Sequence, residues 1–237
     1  MSWPTLDDIA NHLAGATDAA RYAERGDPAG VWVSSDRPVR RLALALEAGR
    51  PPYDWADDLD AVLVHRPFGL WPVKLPPGVG VLAYHAALDD RFSTGLNPDL
   101  SAALGLTPDD EPLKRDGQPI GFVGRLAEPI DVSELFSRVR EQFGGIAGVW
   151  GAPMGTAGAM VHANAMTEPL VRDAAERGAG LYLTGQLRKP ARQAVFDTGI
   201  VAVEVGQDRT EWWGLRHLGR LIQKRWPEVD LVEIDAP

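Results

Sequence analysis

Apolar runs of strand length, each breaking off abruptly into polar residues, recur along this chain: Leu59 to Val64, Gly80 to Tyr84, Leu181 to Thr184 and Ile200 to Val205. Runs this apolar over so few residues, with Asp60 and Glu204 the only charges in them, fit strands covered on both faces, and stretches of helical period lie between the runs. The pattern predicts an α/β protein: two related α/β lobes of mixed sheets flanked by helices, with a cleft between them. Ligands of such folds collect beyond strand ends, so the polar residues that follow each run are the first places to look for chemistry.

The first helix is expected from Thr5 to about Arg25, with Ile9, Leu13, Ala16, Ala20 and Ala23 at helical spacing, Thr5 as N-cap and Asp7 and Asp8 near the positive end. Val31 to Val33 and Arg41 to Leu46 read as strands, and Pro51-Pro52 and Pro76-Pro77 as loops. Leu96 to Leu104 reads as a short helix. The charged, apolar-poor run Asp109 to Gly117 reads as a surface connection, which divides a first lobe, 1–117, from a second, 118–237. In the second lobe a strand restarts at Ile120, and Asp131 caps a helix to Phe143 with Glu134 three residues on. Ala157 to Val161 is a further strand, with helical stretches near Thr167 to Arg177 and Ala191 to Phe196. The last helix runs from Thr210 to Trp226, and it and the strand Val229 to Ile234 are able to pack back on the first lobe.

Composition narrows the chemistry. The chain has 237 residues, 45% hydrophobic and 24% charged, which suits a folded globular protein rather than a disordered one. With no cysteine there are no disulfides or thiolate sites, so His, Asp and Glu are the only strong metal ligands. A net charge of −9 opposes phosphate neutralisation along a nucleic acid. No apolar run is long enough to span a bilayer and no leader pattern follows Met1, so a cytoplasmic location is expected.

Three segments stand at strand ends. His65 precedes Arg66-Pro67, where the proline holds residue 66 extended; it reads as a ligand or as a hydrogen-bonded structural histidine. His85 and Asp89 share a face if the chain stays extended past Tyr84, although Asp89-Asp90 also suits a turn. Glu211 falls just inside the last helix, where a carboxylate favours the positive end with or without a function, and Trp212-Trp213 reads as core.

Taken in order, His65-Arg66-Pro67, His85-Ala86-Ala87-Leu88-Asp89, Thr184-Gly185-Gln186 and Gly206-Gln207-Asp208-Arg209-Thr210-Glu211 resemble the motifs of the NIF-three-like dinuclear metal-centre family, the type 2 GTP cyclohydrolase I homologues. Members carry His-His-Pro, His-Thr-Asn-Leu-Asp, Thr-Gly-Glu or Thr-Gly-Asp, and Gly-His-x-x-Thr/Ser-Glu. Gly95-Leu96-Asn97, Leu104-Gly105-Leu106 and Gly121 to Leu126 extend the match. The resemblance implies two lobes with a pair of divalent ions in the cleft, and a ring-shaped homohexamer.

Carried over position by position, the resemblance makes His65, Asp89 and Glu211 metal ligands and puts Arg66 and Gln207 at two further ligand positions. Gln186 replaces the acid of the Thr-Gly motif, and His162-Ala163-Asn164-Ala165 the glycine-rich turn. Arginine stays protonated and binds no cation. Its charge at about 4 Å from a divalent ion costs about 8 kcal/mol at an effective dielectric of about 20.

Two outcomes are left open. In one, a single divalent ion, zinc, manganese or iron, is held by His65, Asp89 and Glu211. In the other there is no ion, and the Arg66 guanidinium bridges the Asp89 and Glu211 carboxylates. With an ion, the chain reads as a divergent metal-dependent hydrolase of a nucleotide-like substrate, with His85 moving the proton. Without one, it reads as an inactive homologue acting as a ring-shaped binding or scaffold protein for a small molecule or a partner. A nucleic-acid clamp would need Arg188, Lys189, Arg192, Arg216, Arg220, Lys224 and Arg225 to line a hole, where a solvated helix face explains them better.

Overall fold

The computed structural model describes residues 3–49, 53, 55, 58–152 and 155–236. The loop expected at Pro51-Pro52 lies outside them. The chain forms two compact units, one of residues 1–88 with 214–237 and one of residues 89–213.

The first unit opens with α1 (Leu6–Thr17) and α2 (Ala19–Ala23). Thr5 caps α1 through a reciprocal capping box with Asp8. The single helix expected here breaks at Asp18, whose φ of 53° lies in the left-handed region. A sheet follows, built from β1 (Ala29–Val33), β2 (Arg41–Glu47), β3 (Ala61–Arg66), β4 (Gly80–Tyr84) and β12 (Asp230–Ile234), in the order β1-β4-β3-β2-β12. Only β1 is antiparallel to its neighbour.

The apolar runs are buried on both faces, as their composition requires. Ala43, Ala45, Val62, Val64, Val81 and Ala83 face Tyr53, Trp55 and Leu70. On the opposite face Leu44 and Leu231 pack beneath Gly219, and Leu6 beneath Gly80. His65 follows Leu63 at a spacing of two, so it shares that second face.

The second unit holds α3 (Ala86–Arg91), α4 (Pro98–Ala103), β5 (Thr107–Pro108), β6 (Leu113–Arg115), β7 (Gln118–Asp131), α5 (Val132–Phe143), β8 (Gly148–Trp150), β9 (Thr156–Ala163), α6 (Glu168–Glu176), β10 (Leu181–Thr184), α7 (Lys189–Thr198), β11 (Val201–Glu204) and the start of α8 (Gln207–Arg225). Its sheet runs β5-β7-β9-β10-β11-β8, with β6 beside β7 and β9, β10 and β11 parallel. One face is covered by α6 and α7 through Leu170, Val171, Ala174, Ala191 and Val195. The other is covered by α4 and α5 through Leu100, Leu104, Leu135 and Val139. The fold is thus mixed α/β with two sheets flanked by helices.

Two local expectations are corrected. The charged run Asp109 to Gly117 is not purely a connection: it contains β6, which pairs with β7 and buries Leu113. The last helix starts at Gln207 rather than Thr210, so Glu211 sits in its second turn and Asp208 takes the first-turn position. No helix of the described residues is long and apolar enough to cross a membrane.

Candidate metal centre

Parallel pairing of β3 and β4 sets Val64 beside Ala83, so both strands finish at the same edge with His65 and His85 at their ends. His65 is fully buried, and its Nδ1 lies 3.0 Å from the Tyr84 carbonyl oxygen. A carbonyl only accepts, so Nδ1 carries the proton and Nε2 keeps its lone pair. The Tyr84 side chain is itself buried, which pushes its phenol well above the ordinary range.

His85 is oriented in the same sense by a different group. Antiparallel β1 pairs Ala29 with Tyr84, which brings Asp27 alongside His85. Asp27 Oδ1 lies 2.8 Å from His85 Nδ1, and Oδ2 accepts from the Ala86 amide at 2.8 Å. The carboxylate fixes the Nδ1–H tautomer and leaves Nε2 as the basic atom, the second-layer support that metal-binding histidines use. The two imidazole centroids are 5.2 Å apart.

Asp89 reaches the pair by a route other than the extended one expected. Asp27 ties down the amide that opens α3, and the Leu88 amide donates to the His85 carbonyl, so the chain turns helical immediately. Asp89 then lies four residues beyond His85, again on the same side. The division between the two compact units falls inside α3, which carries Asp89 on from the first unit. Donor atoms of His65, His85 and Asp89 all lie within 4.8 Å of one another.

Glu211 is not one of these three. It is buried on α8, where Gln207 Nε2 donates to its Oε1 at 3.0 Å. Arg66 stands opposite Glu47 across β2 and β3, with Nε 3.6 Å from Oε1. Gln186 is exposed after β10.

The donor set suits one divalent ion: two imidazoles, each with Nδ1 turned to an oxygen acceptor, and one carboxylate, the ligand number of a catalytic zinc site with an open position. A second ion does not fit the residues present, since an arginine at position 66 offers no donor atom to a cation and the Gln207 amide already occupies a Glu211 oxygen.

Other conspicuous groups are structural. His162 is fully buried, with Nδ1 donating to the Thr94 and Gly95 carbonyls at 3.2 and 3.0 Å and Nε2 accepting from Ser101 at 2.6 Å. Asn97 caps α4 through Asp99 and Leu100. Arg216 forms a forked pair with Glu233 at 2.8 Å, and the Arg192 guanidinium stacks 4.9 Å from the Trp150 ring. Asp27 was not legible as a site residue, because only the register of β1 against β4 brings it to a histidine 58 positions away.

The chain is similar along nearly its whole length to proteins named GTP cyclohydrolase 1 type 2 homolog. That of Allochromatium vinosum is 26% identical over 250 residues, 97% of this chain and 96% of the relative. That of Pseudomonas aeruginosa is 27% identical over 239 residues, 93% and 92% of the two chains. Among solved structures, a Bacillus cereus protein related to NIF3 superposes with a TM-score of 0.69 at 14% identity, covering 100% of this chain and 98% of that one. The family model for Duf34/NIF3 (NGG1p interacting factor 3) matches residues 74–236. The motifs quoted from the sequence led to the same place: the chain belongs to the Duf34/NIF3 family.

Proposed function

We propose that the protein is a metal-dependent hydrolase that uses one divalent ion, zinc, manganese or iron, held by His65, His85 and Asp89, and acts on a nucleotide-like substrate. The observation that carries this reading is the matched orientation of the two imidazoles, each with Nδ1 turned to an oxygen acceptor, in a group with Asp89 whose donor atoms lie within 4.8 Å of one another. A divalent ion bound there supplies Lewis acidity and makes a neighbouring water more acidic. Burial of His65 and the Tyr84 carbonyl keep one ligand rigid; Asp27 does the same for the other. With its Nδ1 held by Asp27 and its ring in the same donor group as His65 and Asp89, His85 is assigned to the ion rather than to proton transfer. The substrate class follows from the relatives' name and from the resemblance of the motifs.

A second reading, an inactive homologue that keeps the fold as a binding or scaffold protein in a ring-shaped hexamer, is favoured by Arg66, Gln186 and Gln207 at positions the family fills with ligands and an acid.

Chelator-stripped protein titrated with zinc and manganese, then assayed on nucleoside triphosphates, separates the readings. One equivalent that disappears in His65→Ala, with nucleotide hydrolysis, is expected. No uptake, or two equivalents, overturns the single-ion site. Uptake without hydrolysis of any nucleotide supports the inactive homologue.

A further inference from the structure

A cavity lies wholly within the second unit, at the ends of β9 and β10, lined among others by Asp89, Arg115, Asn164, Thr184, Arg188 and Thr210. It measures about 110 Å³, room for about seven to eleven waters at about 10–15 Å³ each. That is room for a molecule of the size of a triose or pentose.

Several polar groups of its wall have already committed their donors. Ser93, Thr94 and Thr210 donate their hydroxyl protons to backbone carbonyls, of Asp89 at 2.5 Å, Ala163 at 3.0 Å and Gln207 at 2.7 Å. Each hydroxyl is thereby left with acceptor capacity only. Asn164 is locked in the same sense: its amide nitrogen donates to the Asp90 carboxylate, which only accepts, so Oδ1 is turned the other way. Among the described residues that Oδ1 is buried with no donor at all. A buried acceptor left unsatisfied costs about 1–3 kcal/mol, and a ligand bearing O–H groups would relieve it.

Two cations stand on the same wall, beside the Asp89 carboxylate and the Gln186 and Gln207 amides. Arg115 on β6 and Arg188 before α7 are exposed and line the same cavity, and neither is in an ion pair among the described residues. Guanidinium groups pair with phosphate through two parallel bonds. Acceptors that want hydroxyl donors, beside two cations that want an anion, describe one kind of molecule.

We propose that this cavity binds a small sugar phosphate, its hydroxyls donating to Asn164, Thr94 and Thr210 and its phosphate held by Arg115 and Arg188. The inference does not rest on the bound ion, and its test is run with chelator present so that the two fail separately. In calorimetric titration of the full chain, ribose 5-phosphate or glycerol 3-phosphate is expected to bind at least about ten-fold more tightly than inorganic phosphate or free ribose. Arg115→Ala with Arg188→Ala, both at exposed positions, is expected to weaken the phosphorylated probe by about ten- to hundred-fold, leaving the melting temperature of the free protein unchanged. Inorganic phosphate binding as tightly as both sugar phosphates overturns the assignment. So does a double variant that binds like the parent, or failure of both probes to bind.

Discussion

Asp27 Oδ1 sits 2.8 Å from His85 Nδ1, and the other oxygen of the same carboxylate accepts from the Ala86 amide at 2.8 Å. One side chain thereby does two jobs: it selects the imidazole tautomer that offers Nε2, and it starts the helix that carries Asp89. Neither job needs Asp27 to touch an ion.

Asp27→Asn should separate those jobs from overall folding. An amide has one acceptor oxygen, so it satisfies either His85 or Ala86 and sets its NH2 against the other donor. Loss of such outer support lowers metal affinity by about ten- to hundred-fold. Zinc titration of the variant against the parent, with circular dichroism to show an intact fold, measures this. Equal affinity would remove Asp27 from the site.

His162 sets an acid limit on stability. Full burial lowers its pKa from 6.5 to about 4, against the carbonyls of Thr94 and Gly95, which favour the charged form. The native imidazole therefore stays neutral at pH values where the unfolded chain already takes up a proton. Its stabilising contribution is complete above about pH 6.5 and is lost progressively as pH falls towards 4, by about 3 kcal/mol in all. Urea unfolding from pH 7.5 to 4.5 should show that decline, and His162→Gln should flatten it.

Much of this was legible in the sequence, and the failures have physical causes. Strands β2, β3, β4, β10 and β11 were read because they are apolar runs, and α5 because Asp131 caps its start with Glu134 three residues on. The helix α3 was missed because its start depends on Asp27, remote in sequence. β6 carried a local signal that its charges obscured: Asp116-Gly117, with φ of 52° and 76°, is the two-residue turn that joins it to β7. His65, His85 and Asp89 were visible as strand-end residues, whereas the tautomers that make two of them good donors depend on the Tyr84 carbonyl and on Asp27.

Gly121 on β7 has no room for a side chain. A Cβ there would lie 2.5 Å from the Ala163 Cβ and 2.7 Å from its Cα, on the neighbouring strand β9. Backbone has to move to admit it, so Gly121→Ala should destabilise by about 1–3 kcal/mol, read as a lowered urea midpoint. An unchanged midpoint would mean that β7 and β9 separate more easily than their pairing implies.

Gln207→Ala tests whether the amide serves the fold or an ion. Gln207 Nε2 donates to the Oε1 of Glu211, a carboxylate only 1% exposed. Removing a donor to a buried carboxyl oxygen costs about 1–3 kcal/mol, and a chain of this size loses about 2–4 °C of melting temperature per kcal/mol. The variant should therefore melt several degrees lower while its zinc stoichiometry stays at one, because His65, His85 and Asp89 are untouched. A melting temperature that holds while zinc uptake falls would instead make the Gln207 carbonyl a ligand, and the second half of the paired site would be partly alive.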